Sequence, residues 1–326
     1  MHARCLNREL IRLGVDAHLS RDPDVLKRGE WDVIHTHGTG ILLAPELLTL
    51  LKKISTKKKK PIRIHAVHGT TLGRMAACRE WTWPGGYLAA VKEFSGIFNA
   101  DIVLADHANL FLLPLARKLG KVTRVISNGW DSFFENEICE EKLPDELEEK
   151  LEKFGSFWVY YGRGSDPVKG TDRLIEALRA VPEIKLVASP GEGFENEERI
   201  LKTGKISQGQ LKRLSRLAKG LVLTSYYEGL PLVIVEALSQ GLLVVSTAVG
   251  GIVTLSSKLQ GFYRTPSGEI SDITASLRSA NAELSTPNDV KARAVNNQAV
   301  LPTWKDVAKE ALRAVEELKM SSISLK

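Results

Sequence analysis

Cysteine is scarce. The chain of 326 residues has three, Cys5, Cys78 and Cys139, odd in number and widely spaced. That pattern argues against a disulfide framework and against a zinc site, and leaves them as core thiols. Long apolar runs are missing as well. No window approaches the roughly 18 uninterrupted apolar residues of a membrane-crossing helix, and the opening Met1-His2-Ala3-Arg4-Cys5-Leu6 has no apolar signal segment. The expectation is a cytoplasmic protein. Short-period repeats are absent too, although two halves of similar size alternate strands and helices in a coarse duplication.

What is present suits a soluble globular protein, with 43% apolar and 26% charged residues. The length exceeds that at which a single hydrophobic core stops growing, so two domains are expected. The net charge of +6 is compatible with nucleic acid, an anionic membrane face or phosphorylated small molecules. The tetrad Lys57-Lys58-Lys59-Lys60 lies between a helical segment and Pro61 with no interleaved aromatics. That context favours a solvated loop, and a nucleic-acid partner is not expected.

Along the first half, apolar residues at helical spacing mark a helix over residues 4–13, closed by Gly14. Strand patterns follow at residues 15–19, 31–37, 62–67, 101–105 and 122–126, with helices over residues 41–54 and 88–98. Glycine-bearing turns, Gly38-Thr39-Gly40 and His68-Gly69-Thr70, end two of these strands. In parallel α/β sheets ligands collect beyond the carboxyl ends of the strands, which singles out His37 and His68. His35 and His65 read as packing residues. Residues 73–86, with Trp81 and Trp83, lack periodicity and read as a long loop, either packed over the core or forming an acceptor or membrane-interface surface. An acidic stretch at residues 139–155, with Leu147, Leu151 and Phe154 in a narrow stripe, marks the domain boundary.

In the second half the strand Phe157-Trp158-Val159-Tyr160-Tyr161 runs into the loop Gly162-Arg163-Gly164-Ser165-Asp166-Pro167-Val168-Lys169-Gly170. Arg163 and Lys169 flank it, an arrangement able to clamp a diphosphate. The loop lacks both the P-loop ending and the Gly-x-Gly-x-x-Gly spacing. Further strands are expected at residues 184–188, 221–224 and 242–245, and Thr303-Trp304-Lys305-Asp306 is a capping box that opens a terminal helix.

The stretch around which the rest is arranged is Ser225-Tyr226-Tyr227-Glu228-Gly229-Leu230-Pro231-Leu232-Val233-Ile234-Val235-Glu236-Ala237-Leu238. It follows a buried strand and opens a helix whose first residue is expected to be Pro231. Glu228 in the turn and Glu236 in the helix should face one crevice. Gly229 permits close backbone approach, and the N–H groups of Leu232 and Val233 give the helix start a partial positive charge suited to phosphate. Two solvated acids at an ordinary helix start would show the same spacing.

The ordered set Gly162-Arg163 … Lys169-Gly170, Glu228-Gly229 … Glu236-Ala237, Gly241, Val249-Gly250-Gly251 and the Trp304 helix resembles the retaining glycosyltransferases of family 4. His35-Thr36-His37, Val67-His68-Gly69 and Ser127-Asn128-Gly129-Trp130-Asp131 match further landmarks, so the resemblance covers nearly the whole chain. It implies the α/β GT-B architecture, two Rossmann-like domains facing across a cleft. The expected division is an acceptor-side domain over residues 1–142, a nucleotide-sugar domain over residues 143–301, and a helix over residues 302–326 crossing back. The resemblance implies no cofactor and no metal, with an NDP-sugar (UDP- or GDP-linked) as donor substrate. Arg163 and Lys169 would hold its diphosphate, Glu236 the ribose, and Glu228 the hydroxyls of the transferred hexose, alongside the amides of Gly229, Leu230, Leu232 and Val233. His37 and His68 would line the acceptor side, with His68 near the reacting carbon, so the catalytic set is Glu228, His68, Arg163 and Lys169. The family's first strand and glycine-rich loop have no counterpart ahead of the first helix. The acceptor is open, a lipid-linked molecule or a glycan, with peripheral contact at the cytoplasmic face of a membrane. Two alternatives share the architecture: a sugar-nucleotide-binding or scaffold protein with impaired catalysis, and a UDP-sugar 2-epimerase.

Overall fold

The computed structural model describes residues 2–20, 22, 25, 30–37, 60–78, 85–130, 139–195 and 197–324. The chain forms two compact units, Met1–Gly129 with Pro302–Lys326, and Trp130–Leu301. The helix expected at residues 41–54, the turn at residues 38–40, Lys57, Lys58, Lys59, Trp81, Trp83 and Asp131 lie outside the described residues.

Among the described residues, the first unit has four parallel strands in the order β1 (Val33–His37), β2 (Ile62–Val67), β3 (Ile102–Ala105) and β4 (Val122–Val125). Side chains alternate across a strand, so each strand contributes to two cores. Ile64, Ala66, Ile102 and Leu104 pack on one face with Ala311, Ala314 and Val315 of the helix Trp304–Ser324. Val67, Val103 and Ala105 pack on the other with Ile97, Leu112 and Leu113. Each buried isoleucine, leucine or valine among them stabilises the unit by about 1.5–3 kcal/mol, and covering both faces is what an all-parallel sheet requires. The capping box forms as spaced, Thr303 Oγ1 accepting from Asp306 N at 3.2 Å. Arg124 of β4 ties the terminal helix down by pairing with Glu310 at 3.1 Å and with Glu317.

The second unit is a six-stranded parallel sheet in the order β10-β9-β8-β5-β6-β7, comprising β5 (Trp158–Gly162), β6 (Leu186–Pro190), β7 (Ile200–Lys202), β8 (Gly220–Leu223), β9 (Leu243–Thr247) and β10 (Phe262–Thr265). Its central strands are buried on both faces, with Trp158, Val159, Tyr160, Leu221, Val222, Val244 and Val245 nearly inaccessible. This explains why they read as continuous apolar runs rather than alternating ones. The chain runs outward from β5 to β6 and β7, then returns to place β8 on the other side of β5. The connections leaving β5 and β8 therefore run to opposite sides of the sheet, the kind of reversal beyond whose strand ends ligands bind in such folds.

Several expectations need correction. Residues 15–19 form no strand: Asp16, His18 and Ser20 alternate with too little apolar surface to bury, Leu19 is 50% exposed, and the segment joins no sheet. Residues 73–78 and 85–86 of the expected long loop are helical, and residues 79–84 lie outside the described residues. Thr70 Oγ1 caps the helix Thr71–Cys78 by accepting from Gly73 N at 2.9 Å, Met75 is buried under it, and a second helix spans Gly85–Asn99. That second helix is the one expected over residues 88–98, begun three residues earlier. Pro231 is the N-cap, with extended ψ of 127°, rather than the first residue of the helix Leu232–Ser239. The second unit begins at Trp130, ahead of the acidic boundary expected at residue 142. Glu140, ahead of that expected boundary, pairs with Arg213 at 3.2 Å and Arg216 at 2.7 Å. The short strands β7 and β10 were not expected, β7 being three residues and β10 four, with Arg264 exposed and Thr265 alone fully buried.

Candidate donor site and histidine cluster

At the reversal between β5 and β8, short-range bonds lock three loops together. The loop after β5 is closed by Asp166, whose Oδ1 accepts from Val168 N at 3.3 Å, and ends at Gly170 with φ of 61°. A Cβ there would lie 2.1 Å from the Thr224 carbonyl oxygen, so only glycine lets the β5 and β8 loops come this close. Thr224 Oγ1 then donates to Gly170 O at 2.7 Å, and Tyr226 N donates to Val168 O at 2.7 Å. From β9, Thr247 Oγ1 donates to Ser225 O at 2.7 Å and Gly251 N to Gly229 O at 2.5 Å.

The scaffold brings Lys169 and Glu228 into contact. Lys169 Nζ donates to Glu228 Oε1 at 2.6 Å, and Ser225 Oγ donates to the same oxygen at 2.8 Å. Both side chains are mostly buried, 22% and 13% exposed, so the pair is little screened by water. No described residue bonds Glu228 Oε2, and two ammonium protons of Lys169 remain for another acceptor. Arg163 stands apart from that pair. It is 75% exposed and reaches Asp166 Oδ2 at 3.4 Å, at the lip of the same loop. Glu236 lies in the second turn of the helix Leu232–Ser239, partly buried and without a described hydrogen-bond partner, and burial pushes its carboxyl up to about 7. Helix geometry leaves the first-turn amides of Leu232 and Val233 without intrahelical acceptors, and the cap residue Pro231 offers no side-chain oxygen. Gly229 and Leu230 join this helix start to Glu228.

Side chains that spacing did not single out hold the site in place. Arg173 donates to Thr224 O at 2.8 Å and to Gly268 O at 2.9 Å, and its guanidinium covers the Tyr226 ring at 3.5 Å. Tyr160 is fully buried in the middle of β5, with its ring edge-on to Phe194 and its hydroxyl without a hydrogen-bond partner among the described residues. Burial, and then the charges of Glu228 and Asp166, hold that hydroxyl far above the usual phenol range. A serine in a turn, Ser225, and an arginine in a helix, Arg173, carry no local signal of such roles.

In the first unit the strand-end histidines converge. His37 Nδ1 and His68 Nε2 are 2.9 Å apart with the rings parallel within 5°. His35 stacks on His37 at 4.3 Å, and His2, from the helix His2–Arg12, sits 4.1 Å from the His68 ring centroid. His2 was not a sequence candidate, since nothing in a helix pattern says which strand ends it will meet. Burial pushes His37 down to about 4, His68 to about 2 and His2 to about 4, so all three are neutral at pH 7. His65 is buried and shares a bond of 3.0 Å with Thr36.

Residues 142–295 match the family model described as glycosyl transferases group 1. The chain has the GT-B fold. No curated protein matches it. Among solved structures, it is similar to the sucrose-phosphate synthase (tll1590) from Thermosynechococcus elongatus, with 19% identity, a TM-score of 0.65, and 89% of this chain and 74% of that one covered. It is also similar to the catalytic domain of starch synthase IV from Arabidopsis thaliana bound to ADP and acarbose, with 13% identity, a TM-score of 0.62, and 92% and 75% covered. A third similar structure is the UDP-forming alpha,alpha-trehalose-phosphate synthase from Burkholderia vietnamiensis, with 13% identity, a TM-score of 0.61, and 98% and 79% covered. At these identities the likeness carries the GT-B fold, while the family match lies over the second unit, where the Lys169–Glu228 site is. No described helix is long and apolar enough to cross a membrane.

Proposed function

We propose that the chain is a retaining glycosyltransferase of family 4 type that moves a hexose from an NDP-sugar, UDP- or GDP-linked, to a separate acceptor. The observation that carries this reading is the Lys169–Glu228 contact at the reversal between β5 and β8, inside the region that matches the group 1 model. Residues 143–301 act as the donor domain. The diphosphate is taken by Lys169 and, after turning inward, by Arg163, with the amides of Leu232 and Val233 adding the helix start's partial charge. Glu236 accepts from the ribose hydroxyls, and Glu228, with Gly229 and Leu230 alongside, accepts from the hydroxyls of the sugar.

Transfer breaks the bond from the anomeric carbon to the phosphate oxygen and forms one to the acceptor oxygen. Negative charge grows on the departing diphosphate, and positive charge on the sugar ring. Fixed cations at the first and a carboxylate at the second favour this charge separation, each well-placed group contributing about 3–4 kcal/mol. Arg163 and Lys169 do this without a metal ion, and the departing phosphate takes the acceptor's proton on the same face, which retains configuration. Residues 1–142 supply the acceptor side through His37 and His68, and residues 302–326 complete that unit. Leu88, Val91 and Phe98, exposed at spacings that share one face of the helix Gly85–Asn99, support a lipid-linked acceptor met at the cytoplasmic membrane face.

The test is calorimetry with UDP-, GDP- and ADP-sugars, followed by assays of slow donor hydrolysis and of transfer. The expected result is binding of one donor class, with Glu228→Gln abolishing turnover while binding falls by no more than about threefold, under 1 kcal/mol. Unchanged turnover in that variant would remove Glu228 from the chemistry. Donor binding with no turnover on any acceptor would make the chain a sugar-nucleotide-binding scaffold.

A further inference from the structure

The histidine cluster has a feature that neither packing nor acceptor binding requires. His2, His37 and His68 each offer a ring nitrogen, and the three nitrogens lie within 4.8 Å of one another. His2 Nδ1 donates to Asn128 Oδ1 at 2.8 Å, which fixes its tautomer and leaves the lone pair on Nε2. That Nε2 is buried and has no hydrogen-bond partner among the described residues. A buried acceptor facing two other imidazoles, held from behind by an amide oxygen, is how proteins orient a metal-binding histidine.

We propose that His2, His37 and His68 form a three-histidine site for a divalent first-row transition-metal ion of the Zn2+ class. The facing nitrogens of His37 and His68, 2.9 Å apart, share one proton. If that proton moves to an outer ring nitrogen, both imidazoles stay neutral and two lone pairs face inward, so no net proton is lost. Bonds of about 2.0–2.1 Å to a tetrahedral ion set nitrogens about 3.3 Å apart, so small rotations about the Cα–Cβ and Cβ–Cγ bonds complete the set. The donors are all neutral imidazole, which suits Zn2+, Co2+, Ni2+ or Cu2+ and not Mg2+ or Ca2+. Three protein ligands leave a fourth position open, as in sites where the ion holds water or a substrate oxygen. Bound there, the ion would join the helix His2–Arg12 to the ends of β1 and β2. The site lies wholly in the first unit and does not rest on the donor reading.

The experiment uses the full chain, stripped with a chelator and titrated with Co2+, whose ligand-field bands report coordination number, and then displaced with Zn2+. The expected result is one Co2+ per chain with bands of four-coordinate geometry, and a higher melting temperature with Zn2+. His2→Ala, His37→Ala and His68→Ala should each weaken binding at least about tenfold, and Asn128→Ala, which removes the orienting oxygen, about 10- to 100-fold. His18→Ala, whose imidazole pairs at the surface with Asp16, should bind like the parent. If the strand variants fail to fold, His2→Ala and Asn128→Ala decide the matter. Absence of the four-coordinate bands, or parental affinity in His2→Ala, would overturn the site and leave a packed cluster of neutral histidines.

Discussion

Replacing Glu236 with glutamine should stabilise the second unit, and by an amount that depends on pH. The carboxyl is pushed up to about 7 by burial, against 4.5 in an exposed chain. Below about pH 4.5 both folded and unfolded chains carry it protonated, and the penalty vanishes. As pH rises, the unfolded state ionises first, so it binds fewer protons than the native state and stability falls until pH passes about 7. Linkage between those two values gives a cost of about 1 kcal/mol at pH 5 and about 3 kcal/mol at pH 8, relative to a neutral side chain of the same shape. Glu236→Gln removes that cost. The assay is urea unfolding of both proteins at pH 5 and pH 8, with hydrogen exchange of β5 and β8 amides reporting the second unit by itself. The expected gain is larger at pH 8 by about 2 kcal/mol. An equal effect at both pH values, or destabilisation at pH 8, would refute the argument. The same variant should weaken NDP-sugar binding, because an ionised carboxylate is the better acceptor for ribose hydroxyls. Parental donor affinity would therefore refute the proposed ribose contact.

Two further substitutions probe the same loops. Lys169→Met leaves the mostly buried Glu228 carboxylate with Ser225 as its remaining described donor, and should destabilise by about 2 kcal/mol, part of which Glu228→Gln in the same chain recovers. Equal stability of the single and double variants in thermal unfolding would show that the pair is not energetically coupled. Gly250→Ala places a Cβ 1.7 Å from the Glu228 carbonyl oxygen at φ of 52°, so it should cost at least about 2 kcal/mol and weaken donor binding at least about tenfold. Calorimetry showing parental affinity would mean that this turn does not position Glu228.

The parallel α/β architecture was legible because its strands are buried on both faces. Runs such as Trp158-Val159-Tyr160 and Leu221-Val222-Leu223 need no neighbour to be recognised, and the central strands lie within a residue or two of where they were expected. Edge positions were not legible in the same way. Residues 15–19 have a short apolar alternation and no partner, while Phe262–Thr265, four residues with Thr265 alone fully buried, pairs with β9. Thr71–Cys78 was missed because its stability comes from a cap and one buried methionine rather than from a stripe.

Composition and order along the chain were enough to establish two α/β halves, the loops at the strand ends, and the residue types able to meet an anionic, hydroxylated ligand, because burial and backbone freedom leave local marks. Folding alone decided which of those residues touch. Lys169 and Glu228 are far apart in the chain and meet because β8 returns beside β5, while Arg163, in the same loop as Lys169, turns to Asp166. His2 joins His37 and His68 for the same reason: a side chain's partners depend on how strands are ordered and helices are laid across them, and no spacing along the chain records that.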